Sequence, residues 1–322
     1  MSALASRQRY LPALVTGCLF AAMFVAGGIR YEGFASGQVI LNVFVDNAFL
    51  LVVAVGMTFV ILTGGIDLSV GSVVALSTMI AATLMSGPGW PPYVVVPLVL
   101  LIGSGLGLVM GYIIHAFDIQ PFIVTLAGMF LARGLCYTIG TESVPIEDAT
   151  FTAFAQTRID LFADLWISPS VVVAVAVVAV AAYVLHYTRL GRAVYATGGS
   201  EQSALLMGLP VGRTKIAVYT ISGFCSALGG VLLSFYMLSG YGLHAVGMEL
   251  DAIAAVVIGG TLLTGGSGLL FGTVLGVLVL GLIQTIISFE GTLSSWWTKI
   301  FIGLLLFVFI VLQRLFSARS RR

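Results

Sequence analysis

TRLGRAVYATGGSEQSALLMGLPVGRTK, running from Thr188 to Lys215, is the polar interruption of an otherwise apolar chain. It sets Arg189, Arg192, Arg213 and Lys215 against a single acid, Glu201. Apolar runs long enough to cross a bilayer flank it on both sides. The stretch must therefore lie in water or against another protein, because irregular backbone in lipid leaves N–H and C=O groups unpaired. Ser200 is placed to N-cap a short helix over Glu201–Met207, which Gly208 and Pro210 end. Two readings of these residues stand side by side. One is a surface helix, flanked by basic residues, that docks on a partner; the other is an ordinary cytoplasmic loop.

The composition settles the class. Of 322 residues, 59% are hydrophobic and 8% charged, where soluble domains run at roughly 45–50% and 25%. Mean hydropathy is +1.12. No soluble core absorbs that much apolar surface, so the sequence predicts an all-α, polytopic integral membrane protein embedded in a lipid bilayer. A net charge of +1 points to no nucleic-acid partner. Cys18, Cys136 and Cys225 fall in apolar runs without metal-ligand spacing and read as small core residues. Ser2–Arg9 and the apolar run behind it have no convincing small-x-small cleavage site, so the run reads as a retained first helix.

Apolar windows predict ten spans: Leu11–Ile29, Val39–Leu62, Leu68–Met85, Tyr93–His115, Pro121–Gly140, Ser168–Tyr187, Ile216–Leu238, the short Leu250–Leu263, Leu269–Ile287 and Trp297–Leu312. Thr141–Trp166 is a wetter insertion. Charge orients the bundle. Arg7 and Arg9, the four basic residues of Thr188–Lys215, and Arg314, Arg319, Arg321 and Arg322 make up ten of the fourteen basic residues. With ten spans they share one side, the cytoplasm by the positive-inside rule, and both termini lie there. Glu32, Glu142, Glu147, Asp148, Asp160 and Asp164 fall on the other. An even count is supported; eight spans remain open if the short one and a neighbour are re-entrant.

Two halves, 1–166 with spans one to five and 167–322 with spans six to ten, would then run in opposite directions as an inverted repeat. Gly103, Gly107 and Gly111 in span four and Gly268, Gly272 and Gly276 in span nine have the spacing of close helix contacts. The two triplets sit at different depths, so they do not establish the repeat alone. LTGGIDLSVGS (Leu62–Ser72) surrounds Asp67 with glycines and reads either as a broken helix on a substrate path or as a tight turn with a capping Asp, the second being favoured. Asn42, Asp46, Asn47, Thr58 and Asp67 are the substrate-pathway candidates, since they place donors and acceptors in or near spans two and three. Arg133, in span five, reads as a structural bridge. Lys215 and Lys299 follow Thr214 and Thr298 and cannot complete GxxxxGK[ST]; HExxH and GxSxG are missing too. No catalytic residue, metal site or cofactor is expected in this chain. If ATP drives it, another chain binds the nucleotide.

TGGIDLSVGS (Thr63–Ser72), TRLGRAVYATGGSEQSALLMGL (Thr188–Leu209) and ELDAIAAVVIGGTLLTGGSG (Glu249–Gly268) resemble, in the family's order and over nearly the whole chain, the permease subunits of bacterial ABC sugar importers of the ribose and galactoside group. TESVPI (Thr141–Ile146) and FEGTLSSWWTKI (Phe289–Ile300) look most like one of the two paired permeases of the galactofuranose importer. Ser200 stands where the family commonly has Asn, which keeps an N-capping side chain. The resemblance implies a second permease subunit, identical or different, a cytoplasmic ATPase using ATP and magnesium, and a periplasmic sugar-binding protein, all at the inner membrane. It makes Thr188–Lys215 the coupling loop, with Arg189, Gly191, Arg192, Gly198, Gly199, Glu201, Ala204 and Gly208 as its working residues. In that role Ala204 and Gly208 permit close approach of the ATPase, and Glu201 meets a basic or donor-rich groove on it.

Overall fold

A computed structural model describes residues 2–161, 165–294 and 296–320, with side chains from Leu11 to Val311. Asp164, Arg321 and Arg322, and the side chains of Arg7, Arg9, Arg314 and Arg319, lie outside the described residues. Ten apolar helices match the ten expected runs: α1 (Ser2–Arg30), α2 (Gly37–Leu62), α3 (Val70–Ser86), α4 (Pro92–Ala116) and α5 (Pro121–Ile139) precede the wet insertion. The insertion holds β1 (Val144–Pro145), α6 (Ala149–Gln156), β2 (Ile159–Asp160) and β3 (Trp166–Ile167). Then come α7 (Pro169–Tyr187), α8 (Arg189–Gly199), α9 (Glu201–Leu206), α10 (Val211–Met237), β4 (Ser239–Gly240), α11 (Met248–Ile258), α12 (Leu270–Glu290) and α13 (Trp296–Ser320). Seven of these helices are long and apolar enough to cross a membrane by themselves. The α3 helix and the stretch Trp296–Val311 of α13, over which side chains are described, are shorter.

At 1.5 Å per residue α11 is only about 16 Å long, against a hydrocarbon core of roughly 30 Å. The chain nevertheless goes from one face to the other around it. Before α11, β4 pairs with β1 of the wet insertion, Val144 opposite Gly240. After it, Gly266 N–H donates to Leu62 O at the far end of α2 (2.9 Å). The eighth span is thus a helix extended at both ends by irregular, partly buried backbone that bonds to neighbouring elements. The eighth run thus joins the two ends of the bundle, as the ten-span reading expects.

α2 and α10 form the centre. α2 is buried along most of its length, and nearly all of its residues from Asn47 to Leu62 are inaccessible. The packing partners come in pairs related by exchanging α2–α5 with α10–α13. α4 packs on α10 and α12 on α2; α3 on α10 and α11 on α2; α3 on α5 and α11 on α13. α1 packs on α12 and α7 on α2, contacts which that exchange does not interconvert. The internal repeat in the packing is therefore one of four helices, with α1 and α7 added outside it.

The glycine triplets are not repeat mates. Gly103, Gly107 and Gly111 bring α4 against the backbone of α10 at Ile216, Tyr219 and Gly223. Gly272 and Gly276 bring α12 against Gly259 and Ala255 at the end of α11, and Gly268 lies ahead of α12 beside Thr261. Cβ atoms at the five helical positions Gly103, Gly107, Gly111, Gly272 and Gly276 would overlap neighbouring backbone, so close approach explains the spacing.

Candidate functional site

The Thr188–Lys215 segment folds as two short helices. Thr188 caps α8, its Oγ1 accepting from Gly191 N (3.3 Å). Ser200 caps α9 by accepting from Ser203 N (3.3 Å), in the extended conformation that an N-cap needs. Met207 and then Gly208, at φ +75°, close α9. The expected short helix is present, one residue shorter at its end.

Its faces differ from the expectation. Ala204 is 0% exposed. It faces its own chain, because α9 lies against α10. Leu205, Leu206 and Met207 point outward instead, with Leu206 90% exposed. Glu201 is held by Lys215, Nζ to Oε1 at 2.6 Å. Its carboxylate is thus already paired within the chain rather than left open for a partner's groove. Arg189, Arg192 and Arg213 are exposed and form no ion pair among the described residues. The surface offered by this loop is an apolar tip, Leu205–Met207, with three unpaired guanidinium groups in the same loop. Apolar side chains at a helix end carry no periodic signal over six residues, which is why the sequence pointed to Ala204.

Gly198 and Gly199 end α8 without positive φ. Their reason is close approach. Three Thr-Gly-Gly turns occur in the chain, Thr63–Gly65, Thr197–Gly199 and Thr264–Gly266, and all three meet. Besides the Gly266–Leu62 hydrogen bond, a Cβ at Gly198 would overlap Leu62 O and Gly266 N. One at Gly265 would lie 2.7 Å from Gly64 N, and one at Gly266 2.7 Å from Gly199 Cα. Gly64, Gly265 and Gly266 have φ of +80°, +82° and +73°, values that side chains rarely adopt. Tyr195 Oη adds a bond to Gly268 O (3.0 Å). The Gly198–Gly199 pair before the Ser200 cap is therefore in backbone contact with the end of α2, through Gly198, and with the α11–α12 connection. Repetition of TGG was the signal available for this junction.

The pathway candidates divide. Asp67 is 0% exposed. Its Oδ1 accepts from Ser69 N (2.9 Å) and Ser69 Oγ (2.6 Å), and its Oδ2 from Ser222 Oγ of α10 (2.7 Å). It fastens the α2–α3 turn to α10 and lines no open space. Ser222→Ala removes a donor from a buried acid and is expected to cost about 1–3 kcal/mol, read as a lower unfolding temperature of the purified protein. Thr58 Oγ1 contacts Thr273 Oγ1 of α12 (2.9 Å). Asn47 bonds to Val43 O (3.0 Å) and faces Gly281 of α12. Both are buried between helices. Asn42 accepts from Gln38 (2.8 Å). Asp46 is exposed, with Tyr236 Oη donating to its Oδ1 at 3.4 Å. Arg133 donates to the carbonyls of Gly242 and His244, the latter at 3.0 Å, which ties α5 to the segment ahead of α11.

Comparison with known proteins gives this geometry a family. The chain is 47% identical to the inner membrane ABC transporter permease protein YjfF of Escherichia coli (strain K12), over 95% of this chain and 93% of that one. It is 41% identical to the fructose import permease protein FruG of Bifidobacterium longum (strain NCC 2705), covering 95% and 92%. It is 40% identical to the ribose import permease protein RbsC of Haemophilus influenzae (strain ATCC 51907 / DSM 11121 / KW20 / Rd), covering 86% and 85%. No solved structure matches. The model of the branched-chain amino acid transport system / permease component family matches residues 39–310, from the first turn of α2 into α13, and the chain belongs to that family.

Proposed function

We propose that the chain is the membrane-spanning permease subunit of an ATP-driven importer that carries a monosaccharide, galactofuranose, across the bacterial inner membrane. The observation that carries the sugar class is identity over nearly the whole chain to permeases named for fructose and ribose import. The galactofuranose assignment rests on TESVPI and FEGTLSSWWTKI, quoted above. A second reading, branched-chain amino acids, is favoured by the family description. The partners of the first reading are a second permease, a cytoplasmic ATPase that holds ATP and magnesium, and a periplasmic sugar-binding protein.

In this reading the ATPase seats on α9. Closure of its nucleotide sites displaces Leu205–Met207, and the backbone junction of the three TGG turns passes the displacement to α2 and to the α11–α12 connection. The bundle then rocks between its two openings about packed helix interfaces. Both termini and α8–α9 lie in the cytoplasm, and the Thr141–Trp166 insertion lies outside.

Membrane-impermeant thiol labelling checks the orientation in a background with Cys18, Cys136 and Cys225 replaced. Glu147→Cys is expected to label from outside and Ser203→Cys only after permeabilisation; the reverse pattern overturns the topology. The substrate is checked by binding-protein-dependent uptake into proteoliposomes. Labelled galactose, supplying its furanose fraction, is expected to enter in preference to ribose, fructose and leucine, whereas preference for leucine restores the second reading.

A further inference from the structure

A cavity of about 500 Å³ opens between α2, α6, α7 and α10, within the roughly 300–1,000 Å³ range of small-molecule sites. It lies in the N-terminal half of α2, remote from Leu62 and the TGG junction. Its walls combine aromatic faces with hydrogen-bonding groups. Phe49 and Tyr236 face each other across α2 and α10 with centroids 6.0 Å apart. Gln156 and Arg158 enter from the insertion, with Arg158 over the ring of Trp166 at 4.5 Å. Ser168, on the wall, has a buried hydroxyl with no partner among the described residues. Gln38 fixes this side by exchanging bonds with the Trp166 backbone, Nε2 to O at 3.1 Å and N to Oε1 at 3.0 Å.

Asp46 decides what the space holds. It is nine residues beyond Gly37, about 14 Å along the helix at 1.5 Å per residue, and yet it is exposed. A carboxylate facing lipid at such depth is costly, so it belongs at a water-filled space. Its bond from Tyr236, which lines the cavity, puts it at the rim. A carboxylate accepts from hydroxyls, an amide and a guanidinium orient them, and aromatic faces cover the C–H side of a ring. We propose that this cavity is a subsite for a single sugar ring inside one permease chain, with Asp46 as hydroxyl acceptor and Tyr236 and Phe49 as platform. The ligand class rests on the sugar-importer reading; the test is a binding measurement that needs neither ATP nor transport, so the two fail separately.

The purified full chain, with whatever chains co-purify, is placed in lipid nanodiscs and mixed with D-ribose, D-fructose, L-arabinose and D-galactose at millimolar concentration. Saturation-transfer NMR is recorded for wild type, Asp46→Asn and Gln156→Trp, both substitutions being at exposed positions. Expected is transfer to at least one of the sugars, reduced at least about fivefold by each substitution, a change of ~1 kcal/mol if it reports affinity. Transfer to none of them, transfer to lipid chains alone, or sugar transfer that survives either substitution overturns the subsite. Failed ATP-driven uptake with retained, variant-sensitive sugar transfer overturns the importer reading and keeps the subsite.

Discussion

Gly198→Ala is expected to slow sugar uptake by the reconstituted importer roughly five- to a hundredfold, while Gly199→Ala leaves it nearly intact. The two glycines are adjacent, end the same helix and have no positive φ, so the backbone tolerates alanine equally at both. They differ in surroundings. A Cβ at Gly198 falls onto Leu62 O and Gly266 N, whereas one at Gly199 meets nothing within 4 Å. Neither obstacle is the flexible tip of a side chain, so the junction has to open. Overpacking of this kind typically costs about 1–3 kcal/mol. If that penalty falls on the switching step, uptake drops roughly tenfold for each ~1.4 kcal/mol. Initial uptake rates and the unfolding temperature check both variants. Equal uptake by the two would remove the TGG junction from the transmission route.

Leu206→Glu is expected to separate the permease from its ATPase without harming the permease. At 90% exposure Leu206 has no packing role in its own chain. Covering a leucine is worth about 1.5–3 kcal/mol, and a glutamate there must instead be desolvated against the partner. The expected result is a loss of roughly ten- to a hundredfold in affinity for the ATPase, as for a central interface residue. Stimulation of ATPase activity by loaded binding protein falls with it. The unfolding temperature of the isolated permease stays put. Ala204→Trp, by contrast, is expected to destabilise the permease itself, because Ala204 is buried between α9 and α10. Affinity measured by titrating the ATPase onto nanodisc-bound permease distinguishes the two effects. Unchanged affinity with Leu206→Glu would return the tip to an ordinary loop.

Most of the fold was legible because a bilayer leaves few choices. Ten apolar windows became ten helices, since hydrocarbon demands backbone pairing within each span. The Ser200 cap and the Gly208 stop were legible because each acts through its own backbone. What local pattern could not reveal was which faces meet. Two glycine triplets with the same spacing pack against unrelated neighbours, α10 for one and the end of α11 for the other. Asp67 and Thr58, polar at membrane depth, resemble path residues on paper. Only the positions of Ser222 and Thr273, 155 and 215 residues away in sequence, turn them into helix fasteners. Asp46 has the same composition signal as Asp67 and the opposite surroundings. The α9 surface inverted for a similar reason: six residues are too few to declare a buried face, and α10 chose Ala204.

In the proposed function, sugar moves through this chain at the expense of ATP, hydrolysed by a separate subunit that works through α9. Proteoliposomes holding the permease pair and ATPase, with loaded binding protein outside and ATP inside, test it in one experiment. Uptake is expected to require internal ATP, to stop with vanadate, and to continue when an ionophore collapses ion gradients. Uptake that ignores vanadate and collapses with the ionophore would contradict the claim and make the chain an ion-coupled carrier.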